Sequence, residues 1–183
     1  LFSYLQKNYP FVNQITFEDY SSRTCADQRE IDLAAFHYVF DLKTWYMTHM
    51  NARFAEPSEQ IVFNKKTSEF QESKKATSWA KYDSFVTMRH PLPEKEMQEM
   101  FQASKTWTEF FNAMKSRVEM GDLCTYMAPW ISTFVRSFAN LQFRTSLFLM
   151  DIPNPKVVPI EFTLSPFVRA GGKYSRKVRK QRP

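Results

Sequence analysis

The stretch TWTEFFNAMKSRVEMG, residues 106–121, decides the fold class. Thr106 and Glu109 form a capping box: the hydroxyl can accept from the amide of Glu109, and the carboxylate can reach back to the amide of Thr106. Trp107, Phe110, Phe111, Met114 and Val118 then recur on one helical face. Gly121 stands where a left-handed residue would end such a helix. An amphipathic helix with a rim of large aromatics predicts a mainly α chain whose core is built from rings.

The same punctuation recurs on both sides. Downstream, Pro129 precedes a helix carrying Trp130, Ile131, Phe134, Val135 and Phe138. Upstream, Pro93 starts a helix with Met97, Met100 and Phe101, and Trp79, Tyr82, Phe85 and Val86 have helical spacing up to His90. Residues 58–77 are polar, with Ile61, Val62, Phe63 and Phe70 as their apolar members, and read as a solvated helix or linker opened by Pro57. Before them, one long helix is expected from a cap at Thr24 or Asp27 to Phe54, with Leu33, Phe36, Val39, Phe40, Tyr46, Met47 and Met50 on its apolar half. Short helices with short links pack as antiparallel pairs, so the expectation is an irregular bundle of helical hairpins. The tryptophan spacings are unequal, which excludes a constant repeat.

The ends read differently. Residues 1–23 lack a period and contain Pro10, and are expected to form an extended arm. The helical domain then covers 24–140. Beyond it, Phe143, Thr145, Leu147 and Leu149 alternate, as do Ile160, Phe162 and Leu164, while prolines accumulate. This predicts a strap over 141–170, with a small hairpin as the alternative. Residues 171–183 form a basic tail.

Charge is concentrated at that tail. Arg169, Lys173, Arg176, Lys177, Arg179, Lys180 and Arg182 lie in the last fifteen residues, which contain no acidic side chain. Removing them from the 25 basic residues of the chain leaves 18 against 19 acidic ones, so the body is near neutral. A basic tail fits an anionic surface: an acidic protein, rRNA or anionic lipid. No run of about 20 apolar residues is present to cross a membrane.

Chemistry is sparsely signalled. Three glycines in 183 residues argue against phosphate-cradling loops and Rossmann turns. Cys25 and Cys124 show no metal-ligand spacing, so neither a metal nor another cofactor is expected. A reduced compartment is the default for two isolated cysteines, with a Cys25–Cys124 bridge left open. His37 and Asp41, four apart, could make an oriented base, although a solvated polar face explains them as well. On an uninterrupted helix His37 and His49 would not converge. Tyr38, Trp45 and His49 lie away from the main stripe and are candidate protein-contact residues, the alternative being a helix central in the bundle and buried nearly all round.

Thirty aromatics exceed the expected needs of a small helical core, and aromatics with methionine are enriched at interfaces. The sequence therefore points to a non-catalytic structural or accessory subunit, bound to other subunits of a large complex. The start at Leu1 reads as a processed end, which suggests a mitochondrial setting of the respiratory or ATP-synthase type, the cytoplasm being the other choice. The alternatives are a mitochondrial ribosomal protein holding rRNA with its tail, and a small enzyme using His37 with Asp41, or Cys124.

Overall fold

The computed structural model describes residues 2–152. In chain order it has α1 (Phe2–Asn8), β1 (Gln14–Glu18), β2 (Ser22–Thr24), β3 (Glu30–Asp32), α2 (Leu33–Asp41), α3 (Trp45–His49) and β4 (Arg53–Phe54). Then follow α4 (Pro57–Ser73), α5 (Trp79–Asp83), α6 (Glu94–Ala103), α7 (Trp107–Lys115), α8 (Met120–Met127), α9 (Ile131–Ala139) and β5 (Leu147–Asp151). Helices take up 56% of these residues and strands 12%, so the chain is mainly α.

Helix α7 begins where the capping box places it. Thr106 Oγ1 accepts from the amide of Glu109 at 3.2 Å. The Glu109 carboxylate returns to the amide of Lys105, at 2.6 Å, one residue earlier than expected. Trp107, Phe110, Phe111 and Met114 are fully buried. Around them close α2, α4, α6 and α9, and the rings pack mostly edge to face: Trp107 meets Phe134 at 4.8 Å and Tyr82 meets Phe110 at 5.0 Å. Burying one such side chain contributes roughly 1.5–3 kcal/mol. Most aromatics of residues 2–152 are thus spent on the chain's own core.

Helices α6 and α9 follow Pro93 and Trp130 as the sequence indicates, and α9 ends at Asn140 in the left-handed region, φ 50°. The expected stop at Gly121 is not one: Gly121 lies in the first turn of α8. Helix α5 ends at Asp83, after which Phe85 and Val86 lie in turns. Residues 57–73 are a regular helix, the longest among the described residues, because Phe63 and Phe70 anchor an otherwise polar cylinder in the core.

The long helix expected over 24–54 is replaced by several elements. Residues 22–32 form an antiparallel hairpin, β2 with β3, whose turn carries Gln28 at φ 69°. The Asp32 carboxylate, not Thr24 or Asp27, caps α2 by accepting from the amide of Ala35 at 3.1 Å. Leu42 ends α2 in the left-handed conformation, φ 56°, and Thr44 caps α3. Cys25 in the hairpin turn is joined to Cys124 in α8 by a disulfide, which overturns the reduced-thiol default.

The N-terminal segment is not an extended arm throughout. After α1, strand β1 pairs antiparallel with β5, Ile15 opposite Met150 and Phe17 opposite Phe148. Strand β4 pairs with the other edge of β5, giving the order β1-β5-β4. Residues 141–152 are accordingly a short 3-10 turn over Phe143–Thr145 and then the central strand of a sheet, so the sheet crosses the expected arm, domain and strap boundaries. The rest of the strap, 153–170, and the tail 171–183 lie outside the described residues.

Candidate functional site

The break at Leu42 brings together residues that a continuous helix would separate. His37 Nδ1 lies 3.6 Å from Asp41 Oδ2, and the His37 ring is 6.2 Å from that of His49. Trp45 packs on His49 at 4.9 Å. Burial lowers the pKa of His37; Asp41 opposes the shift, while His49 and Lys115 add to it. Trp45 is half-buried and His49 exposed, so both can be touched from outside. Tyr38 cannot: it is fully buried among Phe63, Phe70 and Phe143, and its hydroxyl donates to Thr67 Oγ1 at 3.2 Å. Helix α2 is covered on both faces, by α7 and α9 on one and by rings of α4 on the other. For Tyr38 the second reading, a helix buried nearly all round, is the one that holds. Burial raises the Tyr38 phenol to about 12.

A second polar chain was missed by sequence reasoning. His90 Nε2 meets Asp83 Oδ1 at 2.9 Å, His90 Nδ1 meets the Tyr126 hydroxyl at 2.9 Å, and that hydroxyl meets Tyr82 at 3.0 Å. The order carboxylate, imidazole, hydroxyl is that of an acid–base relay. Its two phenols, however, are buried, with only the Asp83 end reaching the surface, and burial drives both phenols upward. Cavities of about 370 and 270 Å³ on the surface are lined by other residues. The arrangement satisfies buried polar atoms and links α5, α8 and the segment before α6.

Lys74 is buried without a carboxylate in contact. Its ammonium donates to the carbonyls of Phe101 at 2.9 Å and Ser104 at 3.3 Å, and sits 3.5 Å over the Phe101 ring. A cation there satisfies the last carbonyls of α6 and favours its dipole. Burial lowers its pKa. Asp19 is buried as well; Oδ1 accepts from the amide and hydroxyl of Ser21, while Oδ2 has no hydrogen-bond partner. Burial raises its pKa, Asp32 adds to the shift and Arg144 reduces it. Arg144 itself pairs with Asp32 at 3.3 Å. Among the described residues no group of three or more His, Cys, Asp or Glu is arranged to hold a metal ion.

Two kinds of surface remain open to a partner, cavities of mixed lining and a set of exposed rings. Segment 140–146 separates two surface cavities, of about 370 and 270 Å³. The larger has Phe54, Phe63 and Phe143 in its lining and Val62 at its side, with Lys66 held by the carbonyl of Asn140 at 2.6 Å. Exposed Ile61 and Leu147 adjoin lining residues in sequence. The second apolar surface is the N-terminal segment. Tyr4 is 62% exposed, Phe11 80% and Tyr20 61%. Tyr9 lies between Tyr4, tilted at 6.4 Å, and Phe11, edge to face at 6.3 Å. No helix among the described residues is long and apolar enough to cross a membrane. The cationic residues from Arg169 to Arg182 lie outside the described residues. Compared with known proteins, the chain matches no family model, no curated protein and no solved structure.

Proposed function

We propose that this chain is a non-catalytic accessory component of a protein assembly, held to its neighbours through the aromatic N-terminal segment and the groove of mixed polar and apolar lining between α4 and residues 140–146. The observation that carries the reading is the set Tyr4, Tyr9, Phe11 and Tyr20, all exposed in a chain that buries most of its other rings. Large apolar groups gathered in one exposed segment mark contact surfaces, whereas scattered ones do not. Two of the titratable clusters support the same reading, because Lys74 closes the end of α6 and the His90 chain satisfies the buried Tyr82 and Tyr126 hydroxyls.

The Cys25–Cys124 bridge favours an oxidising compartment. The seven cations of residues 169–183 favour a second reading, a ribosomal subunit that contacts rRNA.

The test is cross-linking and co-purification of the full chain from its source tissue, followed by identification of the attached chains. Stoichiometric protein neighbours are expected, and the triple variant Tyr4→Ser, Tyr9→Ser, Phe11→Ser should lose them with an unchanged Tm. Retention of every neighbour by that variant would overturn the reading. Deleting residues 171–183 separates the ribosomal alternative: RNA retention that is unaffected by the deletion, at any salt concentration, removes it.

A further inference from the structure

Among the described residues strand β1 is an outer strand of its sheet, and the edge it leaves unpaired there is self-complementary. The hydrogen bond from the Ile152 amide to the Asn13 carbonyl, at 2.8 Å, fixes which residues face inward. Register 14 with 151 then makes Asn13, Ile15 and Phe17 the residues whose backbone bonds to β5. Gln14, Thr16 and Glu18 direct their N–H and C=O groups to the outer edge. Among the described residues no strand lies there. The strand QITFE contains no proline and no lysine, the devices that usually blunt an edge, and exposed Phe11 and Tyr20 bracket it.

We propose that this edge pairs with the same edge of a second copy, joining two three-stranded sheets into one of six strands. A two-fold axis through the sheet makes the new pair antiparallel. Centred on Thr16, it places Thr16 opposite Thr16 and Gln14 opposite Glu18. That register alone uses all three outward-facing residues of each strand, for about six backbone hydrogen bonds. Two of these share the Glu18 carbonyl, which already accepts from Tyr20 at 3.2 Å. A shift toward Phe17 drops Gln14 from the ladder. A shift to Glu18 sets two carboxylates face to face.

The side chains agree with the Thr16 register. Gln14 already gives one amide hydrogen to Asp151 at 2.9 Å, leaving its second for the Glu18 carboxylate of the other copy. On the core-facing side Ile15, half-buried, comes opposite Phe17 of the other copy. Glu18 is the one charge of the strand, and it meets an amide rather than its own twin. The pairing rests on the strand edge, an observation separate from the aromatic set that carries the assembly reading.

Sedimentation equilibrium of the full, oxidised chain between 1 and 200 μM tests this. A concentration-dependent dimer is expected. Thr16→Lys, which sets like charges across the axis, should weaken it on the order of tenfold or more. Thr16→Pro should act likewise, since the N–H it removes is not bonded to β5. Hydrogen exchange at the amides of Gln14, Thr16 and Glu18 should slow as the dimer forms. If Thr16→Pro disturbs the fold, Thr16→Lys with an unchanged Tm decides. A wild-type chain monomeric throughout the range, or a dimer unaffected in Thr16→Lys, would overturn the pairing. So would edge protection that arises only on adding another protein. A monomer that still captures neighbours leaves the assembly reading standing; a dimer that captures none does the reverse.

Discussion

The helical core around Trp107 and the small sheet around β5 are built on opposite terms. The core is assembled from segments that each announce themselves: a cap, a proline, a run of rings every three or four residues. The sheet is made of short strands, and its main ladder joins Gln14 to Asp151 across nearly the whole described chain. The core has redundancy, since each ring touches several others. The sheet has little, and its outer edge is open among the described residues. Local signals specify what is buried many times over; what is specified once is left at the margin, where a partner can reach it.

The first way to break this contrast is to hollow the core. Trp107→Ala should cost about 3–5 kcal/mol, measured by urea unfolding, because the ring is fully buried and its indole also donates to Ser73 at 2.9 Å. A cost under about 1 kcal/mol would mean that the rings do not form a single packed unit. Next in size is the staple that ties the β2–β3 hairpin, a sheet of its own, to α8 of the helical core. Reducing the disulfide, or making Cys25→Ser with Cys124→Ser, should cost about 2–4 kcal/mol by thermal or urea melts, as the bridge closes a loop of 99 residues.

The third test sharpens the comparison inside the polar network. Tyr126→Phe should destabilise by about 1–3 kcal/mol, because His90 Nδ1 and the Tyr82 hydroxyl both lose their partner. No activity is expected to change with it, since the hydroxyl is closed off. The smallest effect concerns Asp19, at the junction of strand and hairpin. Its folded pKa is raised by burial, so its contribution is most favourable below the unfolded carboxylate value near 3.8 and is lost as pH rises through the folded value. Asp19→Asn should therefore stabilise the chain at pH 7 by about 1 kcal/mol or less, with the gain vanishing below about pH 4. Paired thermal melts at the two pH values check it, and a larger gain at the acid end would show the sign to be wrong.

Legibility follows the same division. The start of α7 at Thr106, of α6 after Pro93, of α9 after Pro129 and of α4 at Pro57 could all be read, because caps and prolines act on neighbouring residues. The break after Asp41 could not. Leu42 is neither glycine nor proline, yet it stands left-handed, its amide closing the helix on the Tyr38 carbonyl at 2.8 Å. With that break unseen, the approach of His37 to His49 was invisible, and Tyr38 stood on what looked like a second face. The hairpin at 22–32, the β1–β5 pairing and the Cys25–Cys124 bridge depend on partners far along the chain, which no window of eleven or eighteen residues contains. The relay from Asp83 through His90 to Tyr126 is equally remote in sequence. A lone histidine followed by Pro-Leu-Pro gave no sign of it.

The bridge from Cys25 to Cys124 has a further consequence, for how damage to this molecule would be noticed. A protease that nicks the backbone anywhere between those two residues, α4 with its exposed Ile61 included, releases no fragment. Both pieces travel as one species on a denaturing gel until a thiol is added, so a clipped population would pass for intact material in every preparation examined without reductant.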